Sequence, residues 1–233
     1  MTSIKGILFD KDGTIFGFSD TWADWSVSFL TALAPDDVGL RRSLGDMVGF
    51  DWDTQDFKVG SLAVNSAVDE QCELLASVHP KLDAKQIEEI AFHALQDTTA
   101  KPVCDLDALF TGFQSRGMAL GIATNDFEDS AHNQMRDVSA HQYFDFICGF
   151  NSGYGSKPAA GMIHGFCEKM QIAPHEVAMV GDSTHDLEAG RAAGVGMNVG
   201  VLTGPAQHHD IAHLADVILP DISHLPSHLF GNS

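Results

Sequence analysis

An α/β fold is expected for this chain on three observations. Short apolar runs stop abruptly at turn-forming residues, helical segments of about 10 to 15 residues precede several of them, and one long N-terminal stretch has helical periodicity without a buried strand. Together they predict a Rossmann-like parallel sheet with helices on both faces and an α-helical domain inserted into it. A chain of 233 residues has room for such a core and one smaller module.

The first strand is expected over Ile4 to Phe9, where an apolar run ends at Asp10. A run this short, bounded by a turn-former, suits a strand covered on both faces. From about Asp20 to Thr99 the pattern is helical. Ser19 or Asp20 is placed to cap a helix through Ala34, and Asp83 with Gln86 makes a capping box for a helix reaching about Thr98, with Ile87, Ile90, Ala91 and Ala94 on one face. Phe18, Trp22 and Trp25 have the spacing of core packing, and Gly45 to Gly60 is the least regular part. About 80 residues is too long for a loop in a compact domain. Residues 18–99 are therefore taken as a helical cap domain, and residues 1–17 with 100–233 as the α/β core.

The core resumes with a helix over Asp105 to Arg116 closed by Gly117, and a strand over Met118 to Ala123. Pro158 is expected to open a helix to Met170, followed by strands over Val177 to Val180 and Met197 to Leu202. Ile147 and Val217 to Leu219 supply marginal strands.

Composition excludes several function classes. Thirteen Lys and Arg against 32 Asp and Glu give a net charge of −19, which opposes attraction to nucleic acid or to an anionic membrane surface. The longest nearly apolar stretch, Ala192 to Leu202, is broken by glycines and Asn198 and is shorter than the roughly 18 to 20 residues that span a bilayer. No secretory signal layout is visible, so a cytoplasmic protein is expected. Cys72, Cys104, Cys148 and Cys167 form no C-x-x-C pair and read as buried free thiols. His208, His209 and His213 have no cysteine nearby and read as a polar tail rather than a zinc site.

Chemistry-bearing residues gather at the expected strand ends. Asp10-Lys11-Asp12-Gly13-Thr14 follows the first strand, and Thr124-Asn125 follows the strand ending at Ala123. Lys157 lies in a Gly/Ser-rich loop before a helix, and Gly181-Asp182-Ser183-Thr184-His185-Asp186 follows the strand ending at Val180. Carboxylates, a hydroxyl and one cation thus converge where an open α/β sheet places its ligand site.

In order and approximate spacing these four segments resemble the four motifs of the haloacid dehalogenase superfamily of phosphohydrolases. Ala189 to Val195 is similar to the segment after the fourth motif in phosphoglycolate phosphatase-like members, and the insert resembles their helical cap. The resemblance implies that Asp10 is a nucleophile forming an aspartyl-phosphate. It implies Mg²⁺ held by the Asp10 side chain, the Asp12 main-chain carbonyl and Asp182. Asp12 would protonate the leaving alkoxide and later activate water, whereas dehalogenases of this family lack that second aspartate. Thr124, backbone N–H groups near Asn125, and Lys157 would stabilise the transferring phosphoryl group. Asp186 would orient Lys157 or a metal-bound water, with Ser183 and His185 in supporting positions. Lys11 occupies a variable position and is assigned no role.

Selectivity would come from the cap, where Arg41, Arg42 and Lys58 are candidates for binding a substrate carboxylate. The expected function is a Mg²⁺-dependent phosphatase acting on a small phosphorylated metabolite, with 2-phosphoglycolate the best single candidate. A sugar phosphomutase resembling β-phosphoglucomutase, a phosphonoacetaldehyde hydrolase-like C–P hydrolase using Lys58 as a Schiff base, and a non-enzymatic scaffold are the alternatives. Both a monomer and a homodimer are compatible with the sequence.

Overall fold

A computed structural model of the chain describes residues 4–58, 61–62, 68–96 and 100–231. It contains two compact units, one made of Met1–Phe18 and Ala100–Ser233, the other of Ser19–Thr99. Strand β1 (Gly6–Phe9) is entirely buried and opens the first unit. The second unit carries α1 (Phe18–Leu33), which starts inside the first, then α2 (Val38–Val48), a hairpin of β2 (Phe50–Asp51) and β3 (Asp56–Phe57), α3 (Val68–Ala76) and α4 (Ala84–Gln96). The first unit resumes with α5 (Leu106–Gln114), β4 (Ala119–Ala123), α6 (Glu128–Asp137), β5 (Phe146–Cys148), α7 (Gly161–Met170), β6 (Val177–Gly181), α8 (Thr184–Ala193), β7 (Met197–Val201), α9 (His208–Ile211), β8 (Val217–Leu219) and α10 (Leu225–Phe230).

Six strands form one sheet in the order β5-β4-β1-β6-β7-β8, and every pair in it is parallel. Successive side chains of a strand face opposite ways. Ile7 and Phe9 therefore join a core with Phe110, Phe113, Leu120, Ile122 and Val199, while Leu8 packs with Met162, Ile163, Phe166 and Met179 on the other face. Both faces are covered, which is why these strands read as continuous apolar runs rather than alternating ones. The second unit has its own core, in which Trp25 stacks on Phe29, meets Trp22 edge-on, and donates its indole N–H to the Ala91 carbonyl.

Helix ends follow local chemistry. Asp83 and Gln86 exchange side-chain to backbone hydrogen bonds of 3.1 and 2.9 Å, the reciprocal box expected there. Asp105 caps α5 by accepting from the Ala108 N–H.

Several expectations are corrected. Pro158 does not open a helix: it follows a cis peptide bond from Lys157, and α7 begins at Gly161. Ser19 and Asp20 lie in the first turn of α1 rather than at its cap. Part of the stretch from Gly45 to Gly60 is regular. It finishes α2, turns at Gly49 with φ of +81°, and forms the β2–β3 hairpin, whose turn is held where Asp51 accepts from the Asp53 and Thr54 N–H groups. Gly60 and the expected end of α4 near Thr98 lie outside the described residues. Cys104 is only partly buried, whereas Cys72, Cys148 and Cys167 are buried, and all four are free thiols. Among the described residues no helix is long and apolar enough to cross a membrane.

Candidate active site

Three central strands deliver Asp10, Thr124 and Asp182 side by side. Phe9, the last residue of β1, pairs with Ile122 of β4 and with Val180 of β6, so Asp10, Thr124 and Asp182 leave the sheet on adjacent strands. Because β1 has β4 on one side and β6 on the other, it lies where the strand order reverses. That crevice, beyond the carboxyl ends of the strands, is where open α/β sheets bind ligands.

Lys157 is the centre of charge compensation. Its side chain is 3% exposed, and its ammonium donates to Asp10 Oδ1 at 2.5 Å, Asp186 Oδ1 at 2.6 Å and the Ala123 carbonyl at 2.7 Å. Asn125 fixes the backbone beneath it: its amide donates to the Lys157 carbonyl, and its own carbonyl oxygen accepts from the Lys157 N–H. Asp186 serves two purposes. One oxygen takes Lys157, and the other accepts from the Ser183 N–H and hydroxyl in the capping box that starts α8. Thr124 is buried, and its hydroxyl oxygen accepts from the Asp126 N–H at 3.1 Å.

Asp182 is seated by Gly13 and Thr14 of the first segment and by Thr203 and Gly204, which the sequence did not single out. The Thr14 hydroxyl donates to Asp182 Oδ1 at 3.3 Å, and the Thr203 hydroxyl donates to the Gly13 carbonyl at 2.6 Å. A Cβ on Gly13 would stand 2.5 Å from Asp182 Cγ, and one on Gly204 would stand 1.7 Å from Asp182 Oδ2. Gly13 also has φ of +87°, so glycine at both positions is what lets the carboxylate occupy this place.

Asp10, Asp182 and Asp186 each offer an oxygen within 4.8 Å of the others, and all three are buried. Three carboxylates against one ammonium leave an excess of negative charge in a desolvated place. Burial pushes Asp10 up to about 7 despite the opposing pull of Lys157, with Asp186 and Asp12 adding to the rise. Asp182 is raised for the same first reason, followed by repulsion from Asp10 and Asp186. For Lys157, burial acts downward, but Asp10 and Asp186 overcome it and hold the ammonium charged. A cluster of hard oxygen donors short of positive charge fits a divalent cation such as Mg²⁺. Asp186 is already committed to Lys157 and Ser183, which leaves Asp10 and Asp182 as the side chains suited to that ion.

The raised Asp10 has a consequence for stability. A carboxyl whose folded value exceeds its unfolded value binds extra protons when folded, so its contribution is present below about 4 and is lost as pH rises through about 7. Thermal unfolding of metal-free protein should therefore give a higher midpoint at pH 5 than at pH 8, and Asp10→Asn should flatten that difference. An unchanged pH profile in the variant would show that Asp10 is not the group responsible.

Asp12 is placed differently from Asp10. Its carboxylate lies 2.6 Å from the ammonium of Lys11 and does not belong to the three-carboxylate group. Lys11, given no role from sequence, is fully buried and also meets Asp126 at 3.1 Å and Gln134. No pattern along the chain marked it, because two of its three acceptors, Asp126 and Gln134, are brought to it only by folding.

The three cationic candidates of the second unit are each engaged within it. Arg41 donates to the Ala34 and Pro35 carbonyls, Arg42 pairs with Asp53 at 3.0 Å, and Lys58 pairs with Asp46 at 2.7 Å. Asp46 also raises the Lys58 ammonium above its ordinary value, which disfavours the neutral amine that a Schiff base requires.

Comparison with known proteins bears on the family and the fold. The family model described as haloacid dehalogenase-like hydrolase matches residues 7–199. A Clostridium perfringens protein provisionally named pyrophosphatase PpaX is 25% identical over 194 residues, 82% of this chain and 81% of that protein. Phosphoglycolate phosphatase of Escherichia coli K12 is 31% identical over 96 residues, which span 40% of this chain and 38% of that enzyme. A crystal structure from Haemophilus somnus 129PT, provisionally titled a phosphoglycolate phosphatase, shares the fold with a TM-score of 0.73 at 19% identity, covering 97% of each chain.

Proposed function

The chain belongs to the haloacid dehalogenase-like hydrolases, and from that premise we propose that it is a Mg²⁺-dependent phosphatase of small phosphomonoesters that works through an aspartyl-phosphate. The observation that carries this reading is Lys157, buried and bridging Asp10 to Asp186 beside Asp182 at the sheet's switch point.

Each residue has a task that its position supports. Asp10 attacks phosphorus, forming an O–P bond while the bond to the leaving oxygen breaks. Asp12 gives that oxygen a proton, a step typically contributing ~10² to 10⁴ in rate. It then takes a proton from the water that attacks the same phosphorus, which releases inorganic phosphate and restores Asp10. Lys157 and the Thr124 hydroxyl face the charge on the non-bridging oxygens, where fixed donors in a dry site act most strongly. Asp10 and Asp182 would hold Mg²⁺, which when bound would supply Lewis-acid neutralisation of the phosphate charge.

A small phosphorylated metabolite is the proposed substrate class, and 2-phosphoglycolate the first ester to test, on the local similarity to an enzyme of that name. The test is phosphate release from a panel of alkyl and sugar monophosphates and pyrophosphate, with Mg²⁺ and with EDTA. Selective turnover that EDTA abolishes is expected. No release from any compound would overturn the phosphatase reading, and release unaffected by EDTA would remove the metal from it.

A further inference from the structure

The first motif contains a buried cation that the proposed chemistry does not use. Lys11 is 0% exposed and surrounded by acceptors, one from the next residue and two from distant parts of the chain: Asp12 Oδ2 at 2.6 Å, Asp126 Oδ2 at 3.1 Å and Gln134 Oε1 at 2.5 Å. Those acceptors are themselves fixed. Asp126 accepts from the Ser130 hydroxyl and from the Phe127 N–H, and its own N–H donates to Thr124 Oγ1. Gln134 is 6% exposed on α6. One ammonium therefore ties the loop after β1, which carries Asp12, to the loop after β4, which carries Thr124. An apolar side chain of similar length would fill the same volume without the cost of desolvating an ion. Packing alone does not account for a lysine here.

We propose that Lys11 is the positioning residue of this site, holding the Asp12 carboxylate at the place where it exchanges a proton with the leaving oxygen. The inference rests on Asp12 acting as that acid. Its consequence is selective: in the leaving-group step, esters with a poor, alkyl leaving group need the proton and so need Lys11, whereas p-nitrophenyl phosphate releases a stable phenolate and in that step needs neither.

The test compares Lys11→Met with wild type on p-nitrophenyl phosphate and on the alkyl phosphate turned over fastest, 2-phosphoglycolate being tried first. The quantity read is kcat/KM, which reports only the steps through departure of the leaving group. The alkyl ester is expected to lose at least about 10-fold more than p-nitrophenyl phosphate, because part of the general-acid factor disappears with the anchor. For alkyl phosphates the loss should fall on kcat rather than on KM.

Lys11→Met leaves Asp12 and Asp126 without their cation and is at risk of misfolding, so two further variants accompany it. Lys11→Met/Asp126→Asn preserves the local net charge, and Gln134→Met removes one acceptor while keeping every charge; both should show the same selective loss, smaller in Gln134→Met. Equal losses on the two esters in the folded variants, or a gain on the alkyl ester, would overturn the proposal and leave the phosphatase reading standing. No turnover of either ester by wild type would overturn both.

Discussion

Replacing Asp10 by asparagine should lower phosphatase turnover by at least about 10⁴-fold while leaving the thermal midpoint at pH 8 unchanged or higher. The two effects have separate causes. An amide cannot form the acyl-phosphate bond, so the proposed nucleophile is lost outright. The amide also carries no charge, and the Asp10 charge is costly where it sits: buried, 2.5 Å from Lys157 but within reach of Asp182, Asp186 and Asp12, with its value pushed up to about 7. Asparagine nearly matches the shape and retains an oxygen for Lys157. Turnover surviving within 10-fold of wild type would exclude Asp10 as nucleophile, and a collapsed midpoint at pH 8 would show that its charge stabilises the fold rather than burdening it.

The second large effect is expected from Lys157→Met, and here stability falls with activity. Methionine removes the cation that pairs with two buried carboxylates and leaves both uncompensated. Breaking a buried pair from one side costs roughly 3–5 kcal/mol. For a chain of this size that is a drop of about 10 °C in the midpoint at pH 8. The deficit should shrink at pH 5, because Asp10 takes up a proton below about 7 and relieves the excess negative charge. Mg²⁺ should recover part of it at pH 8, since a cation bound to the folded state stabilises it by mass action. Differential scanning calorimetry at the two pH values, with and without Mg²⁺, reads all three. A midpoint at pH 8 within 2 °C of wild type would mean that Lys157 is not the counter-charge of the cluster.

Much of this protein is legible in its sequence, because the information is local. Four or five apolar residues ended by a turn-former specify a buried strand; β1, β4 and β7 lie within the segments read that way, and β6 runs one residue past its segment, to Gly181. The capping box of Asp83 and Gln86 is a relation between residues three apart. The same locality explains the misses. Pro158 has the form of a helix opener, yet it belongs to the turn that presents Lys157 to Asp10 and Asp186. The β2–β3 hairpin rests on an aspartate turn and on the packing of Phe50 against Trp52 and Phe57, which periodicity does not register.

The strands, the helical insert and the residues at the strand ends are legible from the amino acids alone, since these follow from side-chain type and spacing along a few consecutive positions. Charge compensation emerges only on folding. Lys157 is shared by Asp10 and Asp186, glycines 13 and 204 make room for Asp182, and Lys11 finds its acceptor Gln134 across 123 positions of chain. The reason is physical: a turn or a strand is a property of neighbours in sequence, whereas burying a charge depends on which distant groups the fold brings within hydrogen-bonding distance.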